Sequence, residues 1–154
     1  MGQIPTGAHT WLVLWKATRA VEAWAFRSIE DTGLCPSDFG VLEALLHKGP
    51  LPVNVVGRKL LLTTGSITTA VDRLAQRGLV ERRDHPHDRR VRLVELTPRG
   101  RDVIEPAFAR HAADLEQLVS VLAPDERAAL VALLRKLGKA AEANLDEPEE
   151  GVTH

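Results

Sequence analysis

Two short β-prone runs, 79–83 and 90–96, stand alone in a chain whose other apolar residues recur at helical spacing. Both are rich in Val and Leu, and the polar stretch Asp84-His85-Pro86-His87-Asp88-Arg89 joins them as a single hairpin. No other segment offers strands for a larger sheet, so the expected fold is mainly α with one small β-hairpin.

Local start and stop signals place the helices around it. Trp11, Leu14, Trp15, Thr18, Val21, Ala25 and Ile29 form the stripe of a first helix that stops near Thr32-Gly33. Pro36-Ser37-Asp38 opens a second, with Phe39, Val41, Leu42, Leu45 and Leu46 inside and Gly49-Pro50 after it. A short third helix spans 53–61. Thr63 then caps a fourth, whose buried stripe is Ile67, Ala70, Val71 and Leu74, with Gly78 at its end. Beyond the hairpin, Thr97-Pro98 opens a fifth helix carrying Val103, Ile104, Phe108, Leu115, Leu118 and Leu122, which Pro106 should bend. Pro124-Asp125-Glu126 opens the last, with Leu130, Leu133, Leu134, Leu137 and Ala141 along one side.

Three helices followed by a hairpin make a winged helix-turn-helix at 36–97. The segments 8–33 and 98–144 carry apolar faces that so small a domain cannot bury, which predicts flanking dimerisation helices. The remainder, 145–154, is acidic and expected to be disordered.

Charge is unevenly distributed. The net charge is only -1, yet 58–101 holds 11 Lys/Arg against 5 Asp/Glu, leaving 9 against 16 elsewhere. A basic centre between acidic ends suits one surface that meets a polyanion. The single cysteine, Cys35, permits no intrachain disulfide and fits a reducing compartment. The first ten residues lack a signal-peptide pattern, and no apolar stretch approaches the ~20 residues needed to span a bilayer. A cytoplasmic protein without membrane partners is expected. There is no nucleophile elbow, phosphate loop, dinucleotide fingerprint or helical metalloprotease signature, and no tyrosine, so the chain reads as no enzyme and needs no cofactor.

The residues with chemistry to offer lie in the basic centre. Thr64, Ser66, Thr68, Thr69 and Arg73 project from the fourth helix away from its apolar stripe. Small hydroxyl residues near a helix N-terminus allow close approach to a groove and can bond base edges or phosphates. At the hairpin tip, Asp88-Arg89-Arg90 offers a guanidinium for a minor groove, held by its neighbouring carboxylate.

These blocks resemble the MarR regulators. Asp38-Phe39-Gly40-Val41-Leu42-Glu43-Ala44-Leu45 with Gly49-Pro50-Leu51 is similar to their second helix and following turn. Gly65-Ser66-Ile67-Thr68, Val71-Asp72-Arg73-Leu74 and Gly78-Leu79-Val80-Glu81-Arg82 resemble their recognition helix and first wing strand. Asp88-Arg89-Arg90 and Leu96-Thr97-Pro98-Arg99-Gly100 resemble the wing and the next helix start. The likeness runs from Trp11 to Ala141. It implies a homodimeric transcriptional regulator, by default a repressor, on a pseudo-palindromic double-stranded DNA operator. The recognition helices would enter major grooves and the wings flanking minor grooves, with Arg58 and Lys59 at the end of the third helix as phosphate candidates. Thr69 stands where many members carry Arg.

The resemblance also implies release by a small aromatic or phenolic effector. Trp11 and Trp15, with His9, Phe39, His47 and His111, are the candidate pocket residues. Redox switching through Cys35 is the alternative, since a thiol at a helix N-terminus gains thiolate character, although Asp38 opposes this. His85 and His87 with Asp84 and Asp88 lack a completed ligand set for a metal. A winged-helix module that binds protein instead of DNA is the reading from a different class. Steep, log-linear salt dependence of duplex binding would separate the two.

Overall fold

The computed structural model describes residues 4–146. The order of elements is α1 (Gly7–Glu30), α2 (Pro36–Lys48), β1 (Leu51–Pro52), α3 (Val53–Lys59), α4 (Thr64–Gln76), β2 (Val80–Asp84), β3 (Arg92–Leu96), α5 (Pro98–Val119) and α6 (Pro124–Asp146). The expected mainly α, winged helix-turn-helix architecture is what the chain adopts. No helix among the described residues is long and apolar enough to cross a membrane. The chain divides into two compact units at Asp114/Leu115, within α5.

In the first part, the sequence signals act where they were read. Thr63 has extended backbone, and its hydroxyl accepts from the Ser66 N–H at 3.1 Å, which opens α4. Gly49 and Gly78 follow α2 and α4 at φ +72° and +70°, the left-handed region that glycine enters without steric cost. The core gathers Leu42 and Leu45 of α2, Val56 of α3, Ile67, Val71 and Leu74 of α4, Val94 of β3 and Ile104 of α5.

The sheet has one strand more than the hairpin alone. β3 lies between β2 and β1, all antiparallel, with Val80 opposite Leu96, Asp84 opposite Arg92 and Leu51 opposite Val94. The edge position of β1 explains how Pro52, which has no N–H to donate, belongs to a strand. α3 ends at Lys59, short of the expected 61, because Leu61 turns to φ +54° before the Thr63 cap. α5 runs through Pro106 as one helix and stops at Val119, which leaves Leu122 outside it.

The joint between hairpin and α5 is built from three polar contacts. The Thr97 hydroxyl donates to the Gly78 carbonyl at 2.6 Å and accepts from the Gly100 N–H at 3.0 Å, while the Thr97 N–H donates to the Leu79 carbonyl at 3.1 Å. α1 leaves Trp11, Val13 and Trp15 about half or more exposed.

The second part contains the end of α5 and all of α6. The Glu126 carboxylate accepts from the Ala123 N–H at 2.8 Å and so caps α6, and Arg127 pairs with Glu116 at 2.7 Å. The α6 stripe Leu130, Leu133, Leu134 and Leu137 is exposed. Leu145 and Asp146 belong to α6. The rest of the expected acidic tail lies outside the described residues.

Candidate nucleic-acid interface

Burial of Ile67, Ala70, Val71 and Leu74 turns the rest of α4 outward. Thr64, Ser66, Thr68 and Thr69 are all exposed there. Two of the hydroxyls are already committed as donors: Thr68 Oγ1 to the Thr64 carbonyl at 2.9 Å and Thr69 Oγ1 to the Gly65 carbonyl at 3.0 Å. Each of these oxygens keeps its lone pairs as acceptors, beside a methyl group. That pair of properties suits the amino groups of adenine and cytosine and the methyl of thymine.

α4 is tied to the hairpin by an ion pair between Asp72 and Arg82 of β2. Asp72 lies one turn beyond Thr68 on the same row of the helix, so the hydroxyl row and the wing share one side of the domain. The wing is stiffened by charge pairs across its strands, Asp84 with Arg92 and Arg83 with Glu95 at 3.1 Å. At its tip, Asp88 Oδ1 accepts from both the Arg90 backbone N–H at 3.0 Å and its Nε at 3.3 Å. The aspartate–arginine clasp expected from the sequence is thus on Arg90. Arg89, Arg58 and Lys59 are exposed and make no ion pair among the described residues. Arg77 and Arg99 likewise make no ion pair there, so the local positive excess rests on these five side chains.

Arg73, which projects from α4 beside these hydroxyls, is engaged by a carboxylate of α2. Its Nε donates to Asp38 Oδ2 at 2.8 Å and one terminal nitrogen to Asp38 Oδ1 at 2.6 Å. Asp38 itself is buried. Hydrogen bonding to this carboxylate, then its charge, raises the Arg73 pKa above the ordinary arginine value. Asp38 was not among the candidate residues. Its partner lies 35 residues along the chain, so the sequence alone gives no reason to pair the two.

Neither of two surface hollows among the described residues gathers the six candidate pocket residues. Phe39 is 3% exposed and part of the core, with its ring edge-on to His111 at 5.0 Å. His111 Nδ1 lies 2.5 Å from the Ser28 hydroxyl, and His47 packs against Phe108 at 4.5 Å. Trp11 and Trp15 are exposed on α1, and His9 borders a surface hollow with Ile4, Pro5 and Thr6. A separate open hollow of about 380 Å³ is lined by Thr32, Asp102, Val103, Pro106, Ala107 and Arg110, none of them a candidate from sequence. Cys35, exposed at the α2 N-cap, has its Sγ 3.2 Å from the Ser37 hydroxyl and 3.4 Å from an Arg73 terminal nitrogen. Among the described residues no group of His, Cys, Asp and Glu is arranged to hold a metal ion.

A hydroxyl-lined helix fixed beside an arginine-tipped hairpin defines a winged-helix DNA-binding protein. Residues 32–91 match the MarR family model. The chain is 38% identical over 127 residues to the HTH-type transcriptional regulator MhqR of Bacillus subtilis, covering 82% of this chain and 88% of that protein. Among solved structures, Bordetella bronchiseptica BpsR, whose DNA binding is regulated by 6-hydroxynicotinic acid, is 30% identical with a TM-score of 0.74, covering 84% and 98% of the two chains. A mutant MarR from E. coli complexed with operator DNA is 26% identical with a TM-score of 0.73, covering 81% and 90%. The chain belongs to the MarR family: it is a DNA-binding transcriptional regulator and not an enzyme.

Proposed function

We propose that this regulator works in the cytoplasm as a homodimeric repressor on a pseudo-palindromic operator, released by a small aromatic acid or phenol. The observation that carries the DNA-binding geometry is the Asp72–Arg82 pair, which fixes the exposed row of α4 beside the wing. Thr64, Ser66, Thr68 and Thr69 serve the major groove, Arg89 and Arg90 the flanking minor groove, and Arg58 and Lys59 the phosphates. That the related MarR is solved in complex with operator DNA supports the DNA-binding part of this reading.

Two-fold symmetry is supported by the exposed apolar residues of α1 and of α6, each a face that water penalises. The segments 8–33 and 98–144 are accordingly the dimerisation regions, and 36–97 the reading head. An aromatic acid acting on BpsR supports the same effector class here. His111, His47 and Phe108 supply polar and aromatic contacts near α2, with Trp11, Trp15 and His9 further along α1.

Selection of bound duplexes from a random pool, followed by footprinting, tests the operator. Two protected half-sites related by a dyad, with centres about one helical turn apart, are expected. A single asymmetric footprint would contradict the dimeric arrangement. A panel of phenols, quinones and aromatic acids should contain at least one compound that lowers operator affinity, and no response across the panel would remove the effector assignment.

A second reading is favoured by one contact, the approach of an Arg73 terminal nitrogen to Cys35 Sγ. A peroxide would convert this exposed thiol to sulfenic acid with release of water, changing the surroundings of a recognition-helix arginine. Retention of a full peroxide response in Cys35→Ser would eliminate that route.

A further inference from the structure

α4 carries one arginine, Arg73, alongside the four exposed hydroxyl residues. The edge that Arg73 gives to Asp38, through Nε and a terminal nitrogen at 2.8 and 2.6 Å, has the parallel two-bond geometry with which arginines bind guanine O6 and N7. One guanidinium cannot offer the same edge to both, and the second hydrogen of that terminal nitrogen is turned to Cys35 Sγ at 3.4 Å, so its outer edge is engaged as well. The competition is unequal, because the Asp38 side chain is 2% exposed and would lose its partner in a place water does not reach. Asp38 is also the one buried charged residue among those described, and it lies in the first turn of α2, outside the basic centre.

We infer that Asp38 is a specificity-determining residue that withholds Arg73 from DNA and leaves major-groove readout to Thr64, Ser66, Thr68 and Thr69. This rests on the DNA-binding reading above. It makes α4 a reader through hydroxyl and methyl groups, without an arginine for guanine, and it excludes Arg73 from the phosphate contacts that govern salt dependence.

The test uses the full chain with two duplexes: one selected from a random pool, and a scrambled duplex of the same length. Affinity is measured against salt concentration for wild type, Arg73→Met, Asp38→Asn and the combined Asp38→Asn/Arg73→Met variant, with circular dichroism confirming the fold of each. Arg73→Met should keep the wild-type slope of log affinity against log salt. Asp38→Asn frees the guanidinium, so its slope should steepen by about 0.9 per subunit, and its preference for the selected duplex should fall. The combined variant should return to the wild-type slope.

If Asp38→Asn does not fold, Arg73→Met alone decides. A slope flattened by about 0.9 per subunit would show Arg73 on a phosphate and overturn the inference. Unchanged slope and preference in a folded Asp38→Asn would overturn it equally. Absence of any duplex binding by wild type would be a failure of the DNA-binding reading itself, and is distinct from both results.

Discussion

A Cβ built on Gly100 would sit 1.9 Å from the Leu79 carbonyl oxygen, which also accepts the Thr97 N–H. Neither backbone can yield without breaking the joint between hairpin and α5. Gly100→Ala should therefore lower stability by about 3 kcal/mol, as read by urea denaturation. A loss below half of that would mean the joint is softer than its geometry. The sequence marks Gly100 as part of a helix start but hides the reason, because the clashing carbonyl belongs to the approach to β2. Asp38 is obscure for the same cause: an acid in a first turn is ordinary, and only tertiary folding brings Arg73 to it. Phe39 misleads in another way. An aromatic at helical spacing looks alike whether it lines a cavity or fills the core, and here it fills the core.

Elements were readable where their causes are local. Thr63, Gly49, Gly78 and Thr97-Pro98 act through their own backbone and neighbouring turns, and the structure places each at the boundary it signals. β1 is different, since Leu51–Pro52 has no strand pattern and exists only by pairing with β3. Thr63→Ala should remove the α4 cap and cost about 1 kcal/mol in chemical denaturation. Thr63→Ser, which keeps the acceptor oxygen, should restore most of it. The Asp72–Arg82 pair predicts a second effect at this scale. Asp72→Asn should speed amide exchange in β2 and β3 while changing global stability by less than about 1 kcal/mol, because the pair is partly solvated. Unchanged exchange in the hairpin would show that the wing is held in place by other contacts.

For the molecule as a whole, composition says little and distribution says more. The net charge is close to zero, but the basic residues gather in 58–101, and ion pairing leaves Arg58, Lys59 and Arg89 among the cations available for phosphate. The exposed leucines of α6 make a matching prediction about assembly. Leu133→Glu combined with Leu137→Glu should shift sedimentation equilibrium toward a monomer, with helical content retained. A dimer of undiminished stability would place the interface elsewhere. The most direct test of the reading head is the salt dependence of duplex binding, by fluorescence anisotropy, for wild type and Arg89→Ala. A log-linear loss of affinity with rising salt is predicted, with the slope reduced by about 0.9 per subunit in Arg89→Ala. A wild type without affinity for duplex DNA, or an Arg89→Ala slope equal to that of wild type, would contradict a wing that meets DNA through Arg89.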